Sequence, residues 1–160
     1  MNELSENRQK LEQVSKGVNL GLGSFFKKLN RVTCPCCGYP TLEARGNYDI
    51  CELCDWEDDG QDDEDSSKVL GGPNGGYSLD EARKNFNKYR IMYSPDNNTT
   101  ITGGDSEERV KLKIELASVF DRMISENNTS ELWKQALKIE KALDQELTRS
   151  IEEYENSFKP

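Results

Sequence analysis

Five cysteines carry the clearest chemical signal in this sequence, and all of them lie within residues 34–54. Four of them form two Cys-x2-Cys pairs: Cys34 with Cys37, and Cys51 with Cys54. Four thiolates in two such pairs can close a tetrahedron around Zn²⁺. The spacing therefore predicts one structural Zn²⁺ held by four cysteines. Because every ligand would be a protein atom, no position remains for a reactive water, and we expect the metal to stabilise the chain rather than to catalyse.

Two other interpretations of the same cysteines remain open. Iron bound by four thiolates uses the same ligands, and a Cys-x2-Cys pair also suits a redox dithiol. The fifth cysteine, Cys36, is either a spacer thiol that faces away from the metal, or a thiol that replaces Cys34 or Cys37 as a ligand or that reacts.

The chain has 160 residues and no histidine. This composition excludes Ser-His-Asp and Cys-His nucleophile pairs, Cys2His2 zinc fingers and any imidazole general base. An enzyme of this sequence would have to use a carboxylate or a lysine as its base.

A second chemical feature is an acidic segment, residues 52–65, which contains nine Asp and Glu residues and no Lys or Arg. These nine equal the net charge of −9, because the other 21 acids balance the 21 Lys and Arg residues. A concentrated acidic patch repels phosphate backbones and attracts basic surfaces. We therefore expect a basic protein as the partner and regard nucleic acid as an unlikely one. The residues predicted to bind it are Trp56, Glu57, Asp58, Asp59, Asp62 and Asp63.

The same loop permits an alternative function, a hydrolase or nuclease in which residues 58–63 hold a divalent cation through Asp58, Asp59, Asp62 and Asp63. Its start also has the alternating acids of an EF-hand. However, Ser66 stands at the twelfth position, where an EF-hand requires a bidentate acid, so calcium is not favoured. For Trp56 two roles are open, a lid over the cysteine pairs or an interface anchor.

The elements around the cysteines are predicted from turn and helix signals. Residues 2–16 form a polar helix, and Arg45-Gly46-Asn47 lies between two short strand-like stretches, which indicates a β-hairpin. Ser78 with Glu81 has the pattern of a capping box, and Asp105 with Glu108 has the same pattern. Residues 105–158 repeat apolar side chains at intervals of three and four, as an antiparallel helical hairpin does.

These elements predict an α+β fold in which a small zinc-ribbon β-hairpin unit is flanked by helices. We divide the chain into an N-terminal helical segment (1–30), a zinc-ribbon-like domain (31–93) and a C-terminal helical hairpin (105–158). The odd number of clustered cysteines and the polar N-terminus favour a cytoplasmic protein. No apolar run approaches the roughly 18 residues of a membrane span, so no membrane association is expected.

Residues 34–86 resemble a bacterial cysteine-rich family named for its CPCC motif. The resemblance covers about a third of the chain and rests on Cys34-Pro35-Cys36-Cys37-Gly38-Tyr39, Tyr48-Asp49-Ile50-Cys51-Glu52-Leu53-Cys54, Trp56-Glu57-Asp58-Asp59-Gly60, Gly72-Pro73-Asn74-Gly75-Gly76 and Asn85-Phe86. It implies an immunity-type protein that docks on a basic toxin and neutralises it. This family usually carries a proline inside the second cysteine pair. Here Glu52-Leu53 stands there, so we expect intact ligation with a looser second turn.

Overall fold

The computed structural model describes residues 3–21 and 28–160, and it contains four α-helices in that part of the chain. They are α1 (Glu3–Val14), α2 (Leu79–Tyr89), α3 (Glu107–Met123) and α4 (Ser130–Asn156). Three short 3₁₀ turns lie between them, at Asp63–Asp65, Gly72–Asn74 and Pro95–Asn97. The predicted N-terminal segment (1–30) is thus described only in part, and its helix is α1.

The prediction of an α+β fold is wrong. The described residues contain no β-strand and no sheet, so there is no β-hairpin unit, and the fold is helical. Extended pairing is limited there to three isolated antiparallel bridges, Val18 with Leu29, Val32 with Leu42, and Ile50 with Glu57.

The hairpin fails because its two halves pair elsewhere. Leu42 exchanges backbone hydrogen bonds with Val32, at 2.8 and 3.2 Å, so it closes a loop around the first cysteine pair. Tyr48 has a φ of 60°, which interrupts extended backbone on the other side of the turn. The Gly46 amide in the turn donates to the Asp58 carboxylate at 2.7 Å. A side chain that is distant in sequence therefore organises the segment that we predicted to be a hairpin.

The capping predictions had different outcomes. Ser78 caps α2 as expected, because its hydroxyl accepts from the Glu81 amide while the Glu81 carboxylate accepts from the Ser78 amide. For α3 the prediction was wrong by one residue. Ser106 is the cap and accepts from the Arg109 amide at 3.1 Å, which leaves the Asp105 carboxylate for another role.

The helical hairpin packs directly on the cysteine segment. α3 and α4 run antiparallel, and the Phe120 and Trp133 rings meet edge to face at 5.6 Å between them. Tyr39, from the cysteine segment, stacks on Phe120 at 5.8 Å. α1 joins through the Trp133 indole, which donates to the Val14 carbonyl at 3.1 Å. One buried apolar cluster therefore connects the cysteines with α1, α2, α3 and α4. Of the helices described, none combines the length and the apolar character that crossing a membrane requires.

Candidate metal centre

The first cysteine pair lies on a tight turn, residues 34–39, which we call the first knuckle. The Gly38 amide donates to the Cys34 carbonyl at 2.9 Å, and the Cys34 amide donates to the Tyr39 carbonyl at 2.8 Å. Gly38 has a φ of 79°, in the left-handed region where glycine has no steric penalty. The turn thereby brings Cys37 back toward Cys34.

Residues 51–56, the second knuckle, repeat this geometry. The Asp55 amide donates to the Cys51 carbonyl at 2.9 Å, and the Cys51 amide donates to the Trp56 carbonyl at 2.9 Å. Asp55 stands where the first knuckle has Gly38, and its φ of 63° is also left-handed, a conformation that Asp tolerates better than most residues. The looser second turn expected from Glu52-Leu53 is not observed, because the same two backbone bonds close both knuckles.

The two knuckles face each other and bring all four sulfurs together. The Sγ atoms of Cys34 and Cys54 are 3.6 Å apart, as are those of Cys37 and Cys51. All four sulfurs lie within 4.8 Å of one another, and all four residues are buried. Zn–S bonds of about 2.3 Å in a tetrahedron give sulfur separations of ~3.8 Å. The four cysteines named from spacing alone thus form a cluster whose size and donor type fit a metal ion.

The electrostatics of the cluster also favour a cation. Burial raises the pKa of the Cys34, Cys37 and Cys54 thiols. Burial acts in the same direction on Cys51, but hydrogen bonds from the other three cysteines and from Thr41 outweigh it and lower the pKa of Cys51. The Thr41 hydroxyl lies 2.9 Å from that sulfur. A bound cation would replace the thiol protons, so metal affinity should fall as the pH falls.

Cys36 is buried as well, but it does not belong to the group of sulfurs that can share an ion. Burial raises the pKa of its thiol. The carbonyl oxygen of the preceding residue, Pro35, accepts two hydrogen bonds from the Arg83 side chain of α2, at 2.9 and 3.0 Å. α2 therefore holds the first knuckle from outside, while Cys36 fills space beside it.

The second knuckle is fixed by a buried ion cluster, which consists of Asp55, Asp105, Arg109 and Lys113. The Lys113 ammonium lies 2.6 Å from Asp105 Oδ2 and 3.2 Å from Asp55 Oδ1. Arg109 Nε donates to Asp105 Oδ1 at 2.8 Å, and its Nη1 donates to the Leu143 carbonyl at 2.9 Å. This is the role of Asp105 in place of capping: it joins the start of α3 to the metal site.

The acidic loop is placed differently from the prediction. Trp56 and Asp58 are fully buried, so neither presents a surface to a partner. Trp56 lies within the core, as the lid interpretation requires. Glu57, Asp59 and Asp62 are half-buried, and Asp63 is exposed. Two hydrogen bonds, at 2.8 and 3.1 Å, join the backbone of Glu57 to the side-chain amide of Asn74. They hold this loop against the glycine-rich turn of residues 71–76.

Three arginines from distant parts of the chain neutralise the loop. Arg8 of α1 forms two hydrogen bonds with the Asp62 carboxylate, at 3.0 and 3.1 Å. Arg45 contacts Asp58 at 2.9 Å and Asp62 at 2.5 Å. The two guanidinium groups hold the pKa of Asp62 well below its usual range, although burial opposes them.

The third arginine is Arg83, which pairs with Asp63 at 2.6 Å. Across the described residues, the four cysteines are the one group of three or more Cys, Asp or Glu side chains whose ligand atoms converge on a common point. The carboxylates of Asp58, Asp62 and Asp63 point at arginines instead. Asp59 accepts hydrogen bonds from the Gln61 amide and the Asn74 side chain. Nothing in this arrangement favours the alternative of a carboxylate-bound catalytic cation.

We call the three arginines that pair with the acidic loop, Arg8, Arg45 and Arg83, the arginine clamp. Replacing Arg45 with methionine tests its role. The buried Asp58 carboxylate would keep its bond from Gly46 but lose its cation, and we expect a loss of about 3 kcal/mol in the free energy of unfolding, measured by urea denaturation. Lys68→Met, which alters an exposed residue beside the same loop, is the control and should change stability by less than about 0.5 kcal/mol. Equal stability of the two variants would contradict a structural role for the clamp.

Sequence reasoning missed the cations that position the site. Arg8, Arg45 and Arg83 have no local signal, because their partners lie 13 to 54 residues away. For α3 a signal was present. Arg109 and Lys113 precede Leu116 and Phe120 at intervals of four, three and four, so they continue the buried stripe of the helix. Charged residues in such a stripe indicate a buried ion cluster.

The comparisons with known proteins agree with the cysteine geometry. No curated protein matches the chain, and no solved structure does either. A family model, however, matches residues 32–105, a span that contains both knuckles, the acidic loop and α2. The match includes the resemblance predicted for residues 34–86 and extends it to Asp105 of the buried ion cluster. Residues 32–105 of this chain therefore match the family described as Cysteine-rich CPCC.

Proposed function

We propose that this protein is a non-enzymatic, zinc-stabilised module that binds a basic protein partner. The observation that carries the proposal is the closure of the metal site by four buried sulfurs. With all four donors supplied by the chain, the ion would have no position for substrate or water, so its contribution would be to folding.

Zinc is the metal that we propose, because of the donor set and the environment. Four thiolates at tetrahedral separations suit Zn²⁺ and iron alike, but the cluster is buried and closed on all sides by the chain. A site whose only role is structural needs no redox chemistry, and Zn²⁺ has none. Elemental analysis of the purified chain should find one zinc per molecule; one iron instead would contradict this assignment.

The charge of the molecule supports a basic partner. The net charge is −9, and the arginines neutralise only part of the acidic loop. Glu64 is exposed, and Asp63 remains exposed beside its partner Arg83. Charge complementarity of this kind steers association and selects partners of opposite sign. An immunity-type role, in which the module covers the cationic active site of a toxin, is the specific form of this proposal that the family resemblance implies.

The experiment for this function is affinity capture of a partner with the metal-loaded protein, followed by kinetics with the purified pair. We expect the association rate constant to fall by roughly tenfold or more between low and physiological ionic strength, where screening acts beyond about 8 Å. The dissociation rate should change much less. An acidic partner, or an association rate independent of salt, would refute the proposal.

A further inference from the structure

The last three turns of α4 extend beyond the helix that packs on it. α4 has 27 residues and α3 has 17. α3 begins beside Glu146 of α4, because the hydroxyl of its cap residue, Ser106, donates to the Glu146 carboxylate at 2.6 Å. The buried residues of α4 end at this same Glu146. The part of α4 that follows it therefore has no partner on α3.

The apolar pattern of α4 nevertheless continues past that point. Leu147, Ile151, Tyr154 and Phe158 follow one another at intervals of four, three and four, which places them on one face. The Tyr154 and Phe158 rings contact each other at 4.9 Å, and both remain exposed. An apolar face of this length on a solvent-facing helix is typical of an interaction site.

A cleft of about 350 Å³ lies at the base of this face. Its apolar walls are Leu147 and Ile151 from α4, Ile50 from the edge of the second knuckle, and Ile101 from the loop before α3. Ile50 and Ile101 are each more than 60% exposed. We call these four residues, with Tyr154 and Phe158, the α4 apolar surface.

The lining of the cleft includes a buried carboxyl oxygen, Glu52 Oε2. Among the described residues, this oxygen has no hydrogen-bond partner. The nearest cation, Arg109 Nη2, lies 3.9 Å from it and 3.8 Å from Asp55 Oδ1, and both separations exceed a hydrogen bond. This oxygen can accept a hydrogen bond, so the lining of the cleft offers an acceptor that a donor from outside would satisfy.

The charge around the α4 apolar surface selects the kind of partner. Residues 144–160 contain five acids and two bases. One of the bases, Arg149, already pairs with Glu146 and Glu153. A second copy of the chain would bring the same excess of acids to the contact, which disfavours self-association. A segment that is apolar on one face and carries Lys or Arg beside it complements both features.

We propose that the α4 apolar surface binds a basic amphipathic helix of the partner, with apolar side chains in the cleft and one Lys or Arg donating to Glu52. This assignment rests on the proposed function, because it places the basic partner at a defined site. It moves the contact away from the acidic loop, which is partly neutralised by arginines, to the far end of the helical hairpin.

The test uses a fluorescently labelled synthetic helical peptide with leucine on one face and lysine on the other. A matched peptide has glutamate in place of each lysine. By fluorescence anisotropy with the metal-loaded protein, we expect the lysine peptide to bind at least about tenfold more tightly than the glutamate peptide. Equal binding of the two peptides, or none, would overturn the proposal.

Variants locate the binding. Ile101→Lys should weaken the binding of the lysine peptide about tenfold. Ile114→Lys is the matched control, because Ile114 is 51% exposed on α3, does not line the cleft and receives the same added charge. Glu52→Gln should weaken the lysine peptide several-fold, with little effect on the glutamate peptide. Equal affinities for the Ile101 and Ile114 variants would overturn the site.

Two outcomes separate this proposal from the proposed function. If the natural partner binds in a salt-dependent way that Asp63→Asn with Glu64→Gln weakens and Ile101→Lys does not, the function stands and this site is wrong. If sedimentation shows a dimer that Ile151→Lys dissociates, a second copy occupies the surface, and the site assignment to a basic partner is again overturned.

Discussion

Replacing Cys37 with alanine is expected to remove the bound metal and to unfold the region around the knuckles. Zinc sites of this type contribute apparent binding free energies of about 10–16 kcal/mol, which is comparable to the whole stability of a domain. Loss of one of four ligands forfeits much of that contribution. For a chain of this size we expect the melting temperature to fall by at least about 10 °C.

The matched control is Cys36→Ala, which removes the same group from a residue that is also buried but lies outside the four-sulfur cluster. It should retain one metal per chain and lose only about 1 kcal/mol. Elemental analysis gives the metal content, and circular dichroism gives the melting temperature. If the Cys37 variant kept a full equivalent of metal and melted with the wild type, the four-cysteine assignment would fail.

Hydrogen exchange would show where the Cys37 variant loses structure. The knuckles depend on sulfurs and on two backbone bonds each, whereas α3 and α4 also hold each other through Phe120 and Trp133. We therefore expect amide protection to disappear first in residues 31–60 and to persist in the helical hairpin. Uniform loss of protection would show that the metal stabilises the whole core as one unit.

The second large effect is expected from Lys113→Met. Lys113 is 1% exposed and neutralises two carboxylates, one in the second knuckle and one at the start of α3. Methionine fills a similar volume but leaves Asp55 and Asp105 buried with Arg109 as their remaining cation. Breaking a buried ion pair by removing one partner costs about 3–5 kcal/mol, and we expect this loss in the free energy of unfolding.

Lys111→Met is the control for this experiment. Lys111 lies two residues away on α3, its side chain is 71% exposed, and it forms a surface pair with Glu108 at 3.6 Å. Surface pairs of this kind contribute less than about 1 kcal/mol, so stability should hardly change. Urea denaturation measures both variants. The Lys113 variant should also release its metal to a chelator faster than the wild type. Equal stabilities of the two variants would contradict the structural role of the ion cluster.

The buried ion cluster and the arginine clamp have a common consequence for the proposed function. Both use acids of the segment 52–65, which we first interpreted as a surface for a basic partner. Asp55, Asp58 and Asp62 are committed to cations of the same chain. Their contribution is to hold α1, α2 and α3 around the metal site. The charge that remains for a partner lies on exposed acids such as Glu64 and along the end of α4.

The sequence alone determined those features that depend on residues close together in the chain. The four-cysteine cluster of the candidate metal site follows from two Cys-x2-Cys pairs, because two cysteines at this spacing on one tight turn can point at one ion. The start of α2 follows from Ser78 and Glu81, whose mutual hydrogen bonds are local. The paired helices α3 and α4 follow from apolar residues at intervals of three and four.

Only the tertiary structure decided the features that depend on distant residues. Gly46 bonds to Asp58 in place of a cross-strand partner, which removes the predicted hairpin, and Arg8 reaches Asp62 across 54 residues of sequence. Whether Trp56 is buried or exposed also depends on the assembled core, which encloses it completely. The physical reason is that a buried charge or ring is satisfied by whichever group the folded chain brings beside it, and spacing along the sequence does not encode that group.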